Sequence, residues 1–217
     1  MSSCARTREE IHNDGINQYD LWYTTDHHWT TEGGFYAYKK IIDYMEAIGF
    51  TSVDPTVKDE SNYDKVVYKD WHLGSWGQRT GRYYAGIDDF ILYEPMFETD
   101  INDTHDDYRV LYNYEPLKQR SHNPSYTYDY VLENSCSHYV NNLSANDTRL
   151  LIINDSMGYA VMPFMDLSFK EILCIDSSNI SDSVLDNYKP HMVLIINHPG
   201  YLGSTGADEY FYSFSGL

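Results

Sequence analysis

Apolar residues recur at helical spacing downstream of Thr30. Phe35, Tyr38, Ile42 and Met45 form one stripe, which Ile41 and Ile48 widen. This pattern predicts an amphipathic helix with Thr30 or Thr31 as its cap. Glu32 suits the positive end of its dipole and Gly49 suits its stop. Residues 1–20 are polar and show no period. The last third reads differently. RLLIIN (149–154), EILCID (171–176) and HMVLIIN (191–197) are continuous apolar, β-branched runs, each about one helix of sequence from the next. Such runs predict parallel strands buried on both faces. SDSVLDNYKP (181–190) reads as a helical connector ended by Pro190.

Residues 51–148 are less regular. VVYKDW (66–71), FILYEPMF (90–97) and YRVLYNY (108–114) predict strands. Between the first two lies LGSWGQRTGRYYAG (73–86), whose glycines predict close backbone approach or a binding loop rather than a regular element. DINDTHDD (100–107) is acidic, but its spacing does not complete a calcium loop, so a solvated turn is expected. The chain is expected to form one domain over 1–217, with 51–148 an irregular, insert-rich region within it.

Composition narrows the function. The 217 residues are 42% hydrophobic, enough for a packed core, and the net charge of −18 disfavours nucleic acid and anionic membrane surfaces. No run approaches the ~20 apolar residues of a membrane span, so no membrane insertion is expected of this chain. The N-terminus MSSCARTREE lacks an apolar signal core. Twenty-two tyrosines suit either sugar rings or a half-wet core. Cys4, Cys136 and Cys174 form no C-x-x-C pair, so neither a disulfide framework nor a zinc module is expected, and Cys174 is read as a small core residue.

Two segments carry chemistry. In INDSMGY (153–159), Ser156 follows a buried-type strand and precedes an expected helix, where parallel-sheet proteins place ligands and nucleophiles. It reads as a nucleophile or as a simple N-capping serine. In YTTDHHWTTEGG (23–34), Asp26 and His28 stand two apart. An imidazole can take a serine proton near neutral pH, and a carboxylate can orient the ring. A metal site and a structural helix entry compete at this motif. Contiguous ligands converge poorly on one ion, and no H-E-x-x-H or matching cysteine set accompanies them, so no metal is expected. His27 is expected to point away from the cleft. Taken together, the two segments favour a Ser156, His28, Asp26 triad.

YTTDHHWTTEGGFYAY resembles the signature of the DHHW family, named for the run Asp26-His27-His28-Trp29. That family is similar to the SGNH-like domains of bacterial alginate O-acetylation proteins, in which a D-x-H-W segment precedes a G-D-S-type nucleophile turn. The resemblance covers residues 20–45 and 149–160 and the rhythm of the last third. It implies a three-layer α/β/α, flavodoxin-like SGNH-type domain with a mainly parallel sheet, working on O-acyl groups without a cofactor. Ser156, His28 and Asp26 match the family's triad, in an order permuted relative to ordinary SGNH esterases. Asn154 stands where G-D-S motifs have Gly, which alters the turn and its donors. Gly74 or Ser75 is expected to supply a second oxyanion N–H, and Trp29 to wall the cleft or pack beneath the helix. The family carries a longer region before this segment, which predicts an N-terminal truncation or a compact variant. The expected substrate is an acetylated carbohydrate such as acetylated xylan, hydrolysed outside the cytoplasm. An acetyltransferase using the same triad and a non-catalytic carbohydrate-binding module are the alternatives.

Overall fold

The computed structural model describes residues 11–102, 107–118, 128–176 and 179–198. Cys4 and the middle of the acidic run (103–106) lie outside them. The long helix forms as its stripe predicts. Helix α1 (Thr31–Ala47) is capped by the Thr30 hydroxyl, which accepts from the Gly33 N–H, and buries Phe35, Tyr38, Ile42 and Met45. Ile48 falls just past the helix end and is exposed, and Gly49 takes the positive φ that closes the last turn. Shorter helices follow along the chain: α2 (Pro55–Lys58), α3 (Ser75–Thr80), α4 (Arg82–Ala85), α5 (Tyr128–Leu132), α6 (Met162–Ser168) and α7 (Asp182–Tyr188), the last being the expected connector.

Four strands form the main sheet: β3 (His138–Val140), β4 (Arg149–Asn154), β5 (Glu171–Asp176) and β6 (Met192–Ile196), in spatial order β3-β5-β4-β6. β4 pairs in parallel with both β5 and β6, and short β3 adds antiparallel to β5. β4 is buried along almost its whole length, as a central parallel strand must be. The fold is a mixed α/β architecture with a mainly parallel central sheet, as expected. A separate antiparallel pair, β1 (Tyr63–His72) with β2 (Asp88–Pro95), packs beside α1. The Thr31 hydroxyl donates to the Ile91 carbonyl, tying the start of α1 to β2.

The core between α1, the antiparallel pair and α6 is aromatic. Phe35, Tyr63, Tyr93 and Phe164 meet with ring centroids 4.8–6.0 Å apart. Each such ring contributes about 1.5–3 kcal/mol by burial. Many tyrosines therefore serve the core, and several anchor their hydroxyls there: Tyr38 meets the Ser168 hydroxyl at 2.7 Å, and Tyr63 donates to the Val57 carbonyl. Among the described residues no helix is long and apolar enough to cross a membrane.

Three expectations are corrected. Residues 108–114 do not form a strand: Tyr108–Leu111 is a 3-10 turn, followed by extended but unpaired chain. The alternating tyrosines are satisfied by their hydroxyls instead of by a ladder. Tyr112 donates to the Tyr93 carbonyl, and Tyr108 and Tyr114 donate to Glu94. The glycine-rich stretch makes the expected close backbone approach, at Gly74 and Gly77, but it is regular. It folds into the two short helices α3 and α4, hinged at Gly81 with φ 87°. Cys136 and Cys174 are joined in a disulfide across 38 residues of sequence. The pairing of β3 with β5 brings their Cα atoms to 4.9 Å, a proximity that local spacing could not reveal.

Candidate active site

Residues 23–28 form a tight loop closed at its neck by three contacts. The Tyr23 N–H donates to the His28 carbonyl, the Thr30 N–H donates to the Leu21 carbonyl, and Trp22 bridges Trp29. Asp88, at the start of β2, holds this loop through its carboxylate, which accepts from the N–H groups of Thr24 and Thr25 and from the Thr25 hydroxyl at 2.6 Å. The Thr25 carbonyl in turn accepts from the N–H groups of Trp76 and Gly77. The loop and α3 are thus one hydrogen-bonded block. The approach is so close that a Cβ at position 74 would overlap the Asp26 side chain, which explains the glycine there.

Within this block Asp26 is 3% exposed and surrounded by donors. Its Oδ1 accepts from the His27 N–H at 2.8 Å, the Ser75 hydroxyl at 2.9 Å and the Ser75 N–H at 3.3 Å. Its Oδ2 lies 3.0 Å from His28 Nδ1 and 3.3 Å from His72 Nε2. Burial by itself would raise this carboxyl. The hydrogen bonds from His28 and His72, with the backbone N–H of His27, outweigh it and hold the group well below the usual carboxylate range. An ionised Asp26 takes the Nδ1 proton of His28 as a donor, leaving Nε2 with its lone pair outward. That nitrogen is 2.8 Å from the Ser156 hydroxyl.

Ser156 sits in a turn at the carboxyl end of β4, and outside groups pin the turn. The Asp155 carboxylate accepts from the Met157 N–H and from the His198 N–H just beyond β6. Trp29 Nε1–H donates to the Met157 carbonyl at 2.7 Å, and the Tyr128 hydroxyl donates to the Ser156 carbonyl at 2.8 Å. The Tyr128 ring also packs 5.0 Å from the His28 ring. The Ser156 N–H makes no hydrogen bond among the described residues, so it is available to an oxyanion.

The structure brings Ser156, His28 and Asp26 into one hydrogen-bonded line. The oxyanion candidates and His27 are placed differently from expectation. The Gly74 N–H donates to the Thr25 hydroxyl and the Ser75 N–H to Asp26, so both serve the carboxylate end of the site, with no N–H left for an oxyanion. Trp29 takes the second of its two expected places, packed against the first turn of α1, and its indole N–H braces the nucleophile turn. Asn154 is buried beneath the turn, its Oδ1 3.2–3.3 Å from the sulfurs of Cys174 and Cys136, where it contacts no substrate space. His27 does not turn away. The loop is bent, not extended, so its ring centroid lies 3.8 Å from that of His28, tilted by 39°, with Nδ1 3.2 Å from the Ser75 hydroxyl. Burial, and the closeness of the His28 ring, lower its affinity for a proton.

His72 and Tyr128 were not singled out by sequence. The register of β1 shifts between Tyr68 and His72, with Asp70 at φ 49°, so that Trp71 and His72 both turn inward. A histidine in a strand-like run carries no sign of that shift, and Tyr128 is one tyrosine among many. Asp26, His27 and His28 offer ligand atoms within 4.8 Å of one another. A cation there would have to displace the donors that already fill both Asp26 oxygens and occupy His28 Nδ1, so the donor set fits a proton-bearing triad better than a metal.

The hydroxyl, imidazole and buried carboxylate line up at the carboxyl end of a central parallel strand, and the fold that carries them is shared with solved structures. Solved structures of this fold include PatB1 from Bacillus cereus with a sulfonyl adduct, at TM-score 0.67 and 18% identity, covering 92% of this chain and 68% of that one. A DHHW family protein from Eubacterium siraeum matches at TM-score 0.62 and 20% identity, over 89% of this chain and 64% of that one. A further structure of Bacillus cereus PatB1 matches at TM-score 0.61 and 20% identity, over 90% and 66%. The chain thus spans about two thirds of the length of these proteins. No protein-family model and no curated protein matches it.

Proposed function

We propose that this chain is a serine-dependent esterase that removes O-acetyl groups from carbohydrate, with Ser156 as nucleophile, His28 as general base and acid, and Asp26 as the group that orients the imidazole. The observation that carries this reading is the unbroken line from Ser156 Oγ through His28 to Asp26, with contacts of 2.8 and 3.0 Å. His28 Nε2 takes the serine proton as Oγ attacks the acyl carbonyl, and the Ser156 N–H stabilises the oxyanion. The imidazolium that forms is held by Asp26 and returns its proton to the leaving sugar oxygen. Water, activated by the same nitrogen, then releases acetate and restores the serine. Transfer to a second sugar hydroxyl uses the same steps, with the acceptor in place of water.

Sulfonyl reagents attach to activated nucleophiles, and the sulfonyl adduct on PatB1, a protein of the same fold, is in keeping with this chemistry. The test is release of p-nitrophenol from its acetate and of acetate from acetylated xylan. Wild type is expected to turn over both. Ser156→Ala is expected to fall at least about 10³-fold, towards background. Equal rates in wild type and Ser156→Ala would overturn the proposal and leave a carbohydrate-binding role as the better reading.

A further inference from the structure

Helices α3 and α4 carry exposed aromatic rings that neither the core nor the triad uses. Trp76 is 51% exposed, and Tyr83 and Tyr84 are 93% and 88% exposed. Three large rings left in water within nine residues forgo the apolar burial that folding gives the rest of the aromatic set. The backbone under Trp76, by contrast, is tied into the site block. The Trp76 N–H is bonded to the Thr25 carbonyl, Ser75 beside it is bonded to Asp26, and a Cβ at Gly77 would press on Leu73 and Thr25. The Trp76 backbone is thus held by the same block that holds the triad carboxylate.

Trp76 also lies close to the reacting atoms. The Trp76 ring centroid is 6.3 Å from that of His27, which is 3.8 Å from His28, whose Nε2 meets the nucleophile. Residues 73–86 include Arg79 and Arg82 but no acidic residue, in a chain of net charge −18. Arg82 lies over the Tyr83 ring at 5.0 Å and donates to its hydroxyl, which fixes that ring's attitude.

We infer that Trp76, with Tyr83 and Tyr84 beyond it, forms the platform on which the sugar rings of an acylated glycan stack, presenting one ring's ester to Ser156. The apolar faces of pyranose rings cover indole and phenol faces, while Arg79 and the tyrosine hydroxyls meet the hydroxyls at the ring edges. Because the backbone under Trp76 is tied down before binding, little backbone freedom is lost when a sugar arrives. This inference rests on the carbohydrate ester reading, but its test does not depend on turnover.

In the Ser156→Ala background, binding of partially acetylated xylo-oligosaccharides and of N-acetylglucosamine oligomers is measured by titration calorimetry. At least one series is expected to bind. Trp76→Ala is expected to weaken it by about tenfold or more, whereas Trp76→Phe, which keeps a stacking face, stays within about threefold. Tyr83→Ala with Tyr84→Ala is expected to weaken longer oligomers more than short ones. Unfolding curves of each variant check that the fold is intact. The platform is overturned if neither series binds, or if Trp76→Ala binds as well as its parent. Failure of ester hydrolysis with this binding intact would instead point to the triad assignment.

Discussion

Replacing Asp26 by Asn keeps the size of the side chain, removes its charge and disturbs a site whose donors are already fixed in place. The His27 N–H, the Ser75 N–H and the Ser75 hydroxyl converge on Oδ1, with His27 Nδ1 also 3.0 Å from it. An amide has a single acceptor oxygen, and it satisfies the most donors on that side. The amide NH₂ then faces His28 Nδ1 and His72 Nε2, where Oδ2 had been. To accept from that NH₂, His28 must move its proton to Nε2, the nitrogen 2.8 Å from Ser156 Oγ. A protonated Nε2 cannot receive the serine proton. The expected loss in kcat is about 10⁴-fold, or roughly 5.5 kcal/mol of transition-state stabilisation. KM for a small ester is expected to change little, because Asp26 touches no substrate. Losing charge-assisted hydrogen bonds also lowers stability, by roughly 1.5–3 kcal/mol. Steady-state hydrolysis of p-nitrophenyl acetate, beside urea unfolding of the same preparations, measures both. A folded Asp26→Asn protein working within tenfold of wild type would refute the tautomer argument and the role given to Asp26.

Two further predictions concern stability. Asp166 on α6 is wholly buried, and neither carboxylate oxygen has a hydrogen-bond partner among the described residues; burial raises its pKa well above the ordinary value. A raised folded value means its favourable, protonated contribution is complete below the unfolded pKa and is lost as pH rises. Each pH unit between the two values costs about 1.4 kcal/mol. Asp166→Asn should therefore gain stability over wild type progressively from about pH 4 upward, read as urea midpoints across pH; a gap that does not grow with pH contradicts this. Reducing the Cys136–Cys174 disulfide, which closes a span of 38 residues, should cost about 4 kcal/mol on the chain-entropy estimate. Both sulfurs lie against Asn154 beneath the nucleophile turn, so esterase activity should fall together with the melting temperature. A reduced protein that melts as the oxidised one does would sink this.

By itself the sequence determined the elements whose information is local. The stripe of α1 with its Thr30 cap, the apolar runs of β4, β5 and β6, and the strand-then-serine turn at Ser156 follow from periodicity and neighbouring residues. The motif around Asp26 and His28 was equally legible, because both residues share one loop. What tertiary structure alone decided are meetings across long stretches of chain. His72 reaches Asp26 only because a bulge in β1 turns it inward, and Tyr128 reaches the Ser156 carbonyl from a helix 28 residues upstream. The Cys136–Cys174 bond depends on β3 joining the edge of β5, and α3 owes its place to its fit against Thr25 and Asp26. The physical reason is common to all four. Side-chain type and spacing encode which backbone shape a segment prefers. Which distant groups then touch depends on strand register and helix placement, and those are set by packing of the whole core.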